Sequence, residues 1–122
     1  MYERILVGTD GSKTAAKAVD RAVAVALATG ASLTVLSAAR LDRGAATVAA
    51  VVERHADSGV AIDTKVVDGD PVAALIEEAR DGSFDLLVMG NKGMTGLSRL
   101  FGSVPGKVSH HLPCSLLIVK TT

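Results

Sequence analysis

Hydrophobic residues in this chain fall into short, nearly unbroken runs, separated by longer segments in which they recur every three or four positions. The runs are Ile5-Leu6-Val7, residues 31–38 with Leu33, Val35 and Leu36, residues 84–89, and Leu116-Leu117-Ile118-Val119. A strand without in-and-out alternation is covered on both faces, as in a parallel sheet. Residues 60–67 differ, because Val60, Ile62, Thr64 and Val66 alternate with Ala61, Asp63, Lys65 and Val67. That pattern predicts a less covered strand at a sheet edge. Between the runs, a helix is predicted over 14–29 with Val19, Val23 and Leu27 on its buried face and Gly30 as its stop. A second, over 45–58, places Val48, Val51 and Val52 on one face and ends at Gly59, leaving Leu41-Asp42-Arg43-Gly44 as the loop leaving the second strand. A third opens at Asp70-Pro71, where the carboxylate caps the first turn and proline sacrifices no helical bond, and buries Val72, Leu75, Ile76 and Ala79. A short helical segment precedes Pro113. Strands and helices alternate, so right-handed crossovers give an α/β, Rossmann-like fold: one domain over residues 1–122, with a doubly wound five-stranded parallel sheet and helices on both faces.

Apolar residues make up 48% of the chain but aromatic ones only 2%, so the core is built from Val, Leu, Ile and Ala. A domain of this length buries roughly two thirds of the surface its unfolded chain exposes and needs no staple. Lys plus Arg and Asp plus Glu balance at 13 each. The overall basic field of a nucleic-acid or membrane-surface binder is missing, and neither partner is expected. The one cysteine, Cys114, lies between Pro113 and an apolar run, where a small core residue serves. The apolar run after Met1-Tyr2-Glu3-Arg4 is too short for a signal peptide and none reaches membrane length, so a cytoplasmic protein is expected. His55 reads as a lone surface residue and His110-His111 as a solvated helix end.

Candidate chemistry sits in two glycine-rich loops after the first and fourth strands, which end at the same edge of a parallel sheet. Ligands of such sheets bind beyond the carboxyl ends of the strands, where the strand order reverses. The first loop is Gly8-Thr9-Asp10-Gly11-Ser12; the second runs from Met89-Gly90-Asn91 through Gly93 and Gly96 to Gly102-Ser103-Val104. Glycine lets main-chain N–H groups approach a ligand, and N–H groups converging at a helix start beside a hydroxyl suit a phosphate. Lys92 and Arg99 flank the candidate phosphate site within this stretch, either to neutralise its charge or as solvated loop cations. The stretch is not a P-loop, since only three residues separate Gly102 from Gly106-Lys107 and Val108 follows, and GxGxxG is absent. Asp10 has two readings, a ligand contact or a carboxylate that bonds its own turn.

Gly8-Thr9-Asp10-Gly11-Ser12, the second glycine stretch and Pro113-Cys114-Ser115 together give a chain that resembles the universal stress protein (UspA) family along its whole length. The ATP-binding motif of that family, G-x2-G-x9-G-[ST], is answered by Gly90, Gly93, Gly102 and Ser103, with eight residues rather than nine between Gly93 and Gly102. The chain is also short for the family between the second strand and the second helix. The resemblance implies an adenine nucleotide alpha hydrolase-like fold and a stress-response module that binds ATP, with AMP or cyclic AMP as alternatives. It implies that Gly8, Thr9 and Asp10 line base and ribose with Ala38 against adenine. Met89, Gly90 and Asn91 would continue that wall, and Gly93, Gly102, Ser103 and Val104 would hold the phosphates. A divalent ion, Mg or Mn, would bridge phosphate oxygens without protein ligands. The resemblance also places the last strand at a sheet edge, where the apolar run from Leu116 to Val119 invites a homodimer. No Glu or His lies in either glycine loop to activate a water, and the serine-glycine-glycine and His-x-Gly-His signatures of related enzymes are absent. Binding without efficient catalysis is therefore expected. A slow ATPase and a dimerisation module with a vestigial pocket are the competing readings.

Overall fold

The computed structural model describes residues 1–91 and 112–121. Five parallel strands, β1 (Arg4–Gly8), β2 (Ser32–Ala38), β3 (Ile62–Val67), β4 (Leu86–Gly90) and β5 (Ser115–Val119), lie in the order β3-β2-β1-β4-β5. Helices α1 (Lys13–Thr29) and α2 (Leu41–Arg54) pack on one face of the sheet and α3 (Pro71–Asp81) on the other. This is the expected architecture, with the alternating strand β3 at an edge. The unbroken apolar runs split between the faces. Ile5, Val7, Leu33, Val35, Leu86 and Val88 meet Ala18, Val19, Ala22, Val23 and Ala26 of α1. Leu6, Leu36 and Leu87 meet Leu75 and Ala79 of α3. Cys114 is half-buried against this second layer, and burial raises its thiol pKa, in keeping with a packing role.

Local signals set most boundaries. The Ser12 hydroxyl accepts the Ala15 N–H at 3.1 Å to cap α1, and Gly30 closes that helix with φ +76°. The Asp70 carboxylate accepts the Ala73 N–H at 2.9 Å to cap α3.

Four expectations are corrected. Leu27 is 61% exposed, because Ala18, Ala22 and Ala26 carry the close contact with the sheet and turn the buried stripe away from it. Residues 41–44 are the first turn of α2 rather than a loop, and α2 ends at Arg54. The cause is Gly44, which is buried so closely over Val66 of β3 that a Cβ would overlap the valine; its missing side chain seats the helix on the sheet rather than breaking it. With that orientation Val52 is 39% exposed. Finally, His55 is not a lone surface residue. Its side chain is 14% exposed and its Nε2 lies 3.1 Å from Asp20 Oδ1, out of line for a hydrogen bond, while Arg54 holds Oδ2 of the same carboxylate at 2.7 Å.

Candidate functional site

β1 lies between β2 and β4, and the sheet grows outward from it in both directions. The carboxyl ends of β1 and β4 lie side by side where the strand order reverses, the place at which sheets of this kind form a ligand crevice. Gly8, Thr9 and Asp10 form one rim, Met89, Gly90 and Asn91 the other.

The first rim is built by local bonds. The Thr9 N–H donates to the Leu36 carbonyl at 3.0 Å, carrying the ladder with β2 past the end of β1. Thr9 is 9% exposed, and its Oγ1 accepts the Gly11 N–H at 3.1 Å. Gly11 has φ +84°, which glycine takes without steric cost. The Asp10 carboxylate accepts the Ser12 N–H at 2.9 Å. The turn-bonding reading of Asp10 is thus seen directly, while the residue stays exposed at the mouth of the crevice. Gly8 serves packing, since a Cβ there would lie 2.9 Å from Leu75 Cδ1.

Hydrogen bonding from Ser12, side chain first and backbone second, holds the Asp10 carboxyl below the usual aspartate range, against the smaller effect of burial. A depressed carboxyl stabilises the fold fully above the unfolded-state aspartate pKa, and that contribution disappears as pH falls through the folded value. Ser12→Ala should therefore raise the Asp10 pKa toward the ordinary range and remove the α1 cap, at a cost of about 1 kcal/mol. Carboxyl-carbon NMR titration of both proteins checks the shift; an unmoved Asp10 would remove the Ser12 hydroxyl as its main cause.

The second rim is held from β5. The Met89 side chain is 8% exposed and packs with Ile76, Leu116 and Ile118, so it offers the crevice only main chain. At Gly90 a Cβ would stand 3.1 Å from Thr121 Cγ2. Asn91 Oδ1 accepts both the N–H (2.8 Å) and the hydroxyl (2.9 Å) of Thr121, which is 3% exposed. Lys17 of α1 donates to the Thr121 carbonyl at 3.1 Å. The Asn91 side-chain oxygen, expected at a ligand wall, is committed to a clamp joining β4, β5 and α1.

Ala38 ends β2 one strand further out, half-buried with its side chain among the Leu6 and Leu36 layer. The structure thus gathers Gly8, Thr9, Asp10, Met89, Gly90 and Asn91 on facing rims with Ala38 beside them. Gly93, Gly102, Ser103 and Val104 lie outside the described residues, as do Lys92, Arg99, His110 and His111. Sequence reasoning missed Ser12 as the cap of α1, and missed Lys17, Thr121 and Thr47. The Thr47 hydroxyl would be 3.3 Å from a Cβ at Gly11, which places α2 beside the β1 loop. Only Ser12 had a signal, its position at the start of a helix.

Comparison with known proteins places this edge in context. Residues 1–53 and 39–120 match the model of the universal stress protein family. The two matched stretches overlap at residues 39–53, where only Ala39-Arg40 connect β2 to α2. A universal stress protein of Mycobacterium tuberculosis is 34% identical over 144 aligned positions, covering 99% of this chain and 98% of the relative. A crystal structure of a universal stress protein in complex with cAMP is 38% identical, with TM-score 0.81 over 99% of this chain and 98% of that one. A universal stress protein family protein from Arabidopsis thaliana with AMP bound, 16% identical, shares the fold at TM-score 0.73 over 97% of this chain and 91% of its own.

Proposed function

We propose that this chain, which belongs to the universal stress protein family, is a small adenine-nucleotide-binding module of the stress response that works in the cytoplasm and does not turn its ligand over efficiently. The observation that carries the reading is the pair of rims at the strand-order reversal, in a chain 38% identical to a protein crystallised with cAMP. Base and ribose lie between Gly8, Thr9, Asp10 and Ala38 on one side and Met89, Gly90 and Asn91 on the other. The phosphates reach Gly93, Gly102, Ser103 and Val104, with ATP the preferred ligand. A Mg or Mn ion would be held mainly by the phosphate oxygens. Cyclic AMP is the second reading. It is favoured by the ligand of that 38% identical protein and by the eight-residue spacing from Gly93 to Gly102, which alters the phosphate loop relative to the family motif.

Mass spectrometry of the small molecules released on denaturing the purified protein tests the ligand class. An adenine nucleotide in proportion to protein is expected; a different metabolite at that ratio would displace the reading. Turnover of ATP should remain far below an ordinary enzyme rate of about 10 per second, because neither glycine loop supplies a base for an attacking water. A purified protein that hydrolyses ATP at such a rate, and loses the activity on Asp10→Ala, would make it an enzyme.

The module pairs with a second copy through β5. This strand ends the sheet among the described residues, with Leu116, Leu117 and Ile118 only partly buried. Ile118→Lys is expected to break that pairing.

A further inference from the structure

The opposite edge of the sheet carries its own geometry. β3 pairs only with β2 among the described residues. The Leu33 N–H donates to the Ala61 carbonyl and the Ala39 N–H to the Val67 carbonyl, at 2.9 and 3.0 Å. The odd-numbered residues of β3 therefore turn their main chain toward β2, and Ile62, Thr64 and Val66 turn theirs toward the open side. On the α2 face of the sheet Thr64 and Val66 form an open, mostly apolar trough with Ala45, Val48, Ala49 and Val52 of α2, with Glu53 at its lining. On the other face stand Asp63 and Lys65, both exposed. Lys65 bonds Glu78 of α3 at 2.5 Å, whereas Asp63 makes no hydrogen bond or ion pair among the described residues.

We infer that β3 is a second self-pairing edge, at which two copies of this chain join antiparallel about a two-fold axis through Thr64. An antiparallel partner can bond only to outward-turned residues, which restricts the register to those that place even-numbered residues opposite one another. With the axis at Thr64, Ile62 of one copy exchanges both main-chain bonds with Val66 of the other, and Thr64 with its own counterpart. Asp63 then stands opposite Lys65 twice, in the closely spaced non-hydrogen-bonded positions where cross-strand charges interact most. The neighbouring permitted registers, with the axis at residue 63 or 65, place Asp63 against Asp63 or Lys65 against Lys65, which is repulsive. The sequence Ile62-Asp63-Thr64-Lys65-Val66 is thus self-complementary in one register. The Lys65 ammonium has three donors and keeps Glu78 while meeting the partner's Asp63. The same axis brings the exposed Ala45, Ala49 and Val52 of the two α2 helices toward each other and covers the trough.

The two edges are at opposite ends of the sheet, so the β3 pairing is read in the Ile118→Lys protein, where pairing through β5 is blocked. Sedimentation equilibrium should show that protein dimerising. Asp63→Lys in the same background should weaken the dimer about tenfold or more, since two attractive pairs become repulsive. The charge-swapped Asp63→Lys/Lys65→Asp protein should recover dimerisation, which a merely structural effect of either substitution would not produce. Matching thermal melts establish that the variants are folded. A folded Ile118→Lys protein that stays monomeric at all concentrations, a dimer indifferent to Asp63→Lys, or a charge swap that fails to restore association would each overturn the inference and leave β3 as a charged edge that keeps other strands away.

Discussion

Asn91→Ala should destabilise the protein by roughly 2–4 kcal/mol, a large share of the about 5–15 kcal/mol that holds a domain together. Asn91 Oδ1 is the acceptor for both the N–H and the hydroxyl of Thr121, and Thr121 is 3% exposed. Alanine would leave two donors without that acceptor, and an unsatisfied buried group costs about 1–3 kcal/mol. Asn91→Asp keeps the acceptor and should stay within about 1 kcal/mol of the parent, because a bond to a charged oxygen is stronger than one to an amide. Thr121→Val removes only the hydroxyl donor and should cost about 1 kcal/mol. Urea unfolding of the three variants gives the order, and an alanine variant with an unchanged midpoint would show that the clamp contributes nothing. The clamp also fixes where the chain leaves β4 for the second glycine stretch, so Asn91→Ala is expected to weaken nucleotide binding even where the protein remains folded.

Gly102→Val should weaken adenine-nucleotide binding by about a hundredfold or more. In the proposed site, phosphate oxygens are held by main-chain N–H groups, and each bond to a charged oxygen contributes roughly 1.5–3 kcal/mol. A β-branched side chain at this glycine would keep the phosphates from more than one of those groups, and two lost bonds exceed the 2.8 kcal/mol or so that corresponds to a hundredfold change. Ser103→Ala deletes one hydroxyl bond and should cost about 1 kcal/mol, near fivefold in affinity. The contrast between adjacent residues separates a site built from backbone from one built from side chains. Equal effects of the two substitutions, in proteins with parental circular dichroism, would contradict a backbone-built phosphate site.

Local signals explain what could be read from the sequence. The unbroken Ile5-Leu6-Val7 run forecast a strand covered on both faces, and Leu6 faces the α3 layer while Ile5 and Val7 face α1. Asp70-Pro71 forecast the start of α3 to the residue, because a cap acts within one turn. Errors arose where a distant element decides. Gly44 reads as a helix breaker until Val66 is beneath it, and Leu27 reads as core until the alanines beside it set the distance from α1 to the sheet. At the site, the shared carboxyl edge of β1 and β4 followed from the alternation of strands and helices, which makes the sheet parallel; the strand order did not. The clamp did not, since Asn91 and Thr121 are 30 residues apart and Lys17 and Thr121 are 104 apart. Asp10 stood between two readings, and its bond to Ser12 shows that the turn itself accounts for its position.

Isothermal titration of the purified, ligand-stripped protein with ATP, ADP, AMP and cyclic AMP, alongside GTP, measures most directly whether the crevice between β1 and β4 is an adenine-nucleotide site. Saturable binding of one adenine nucleotide per chain is expected, with ATP or cyclic AMP the tightest and GTP much weaker. No heat with any adenine nucleotide, from a protein whose circular dichroism shows it folded, would contradict it.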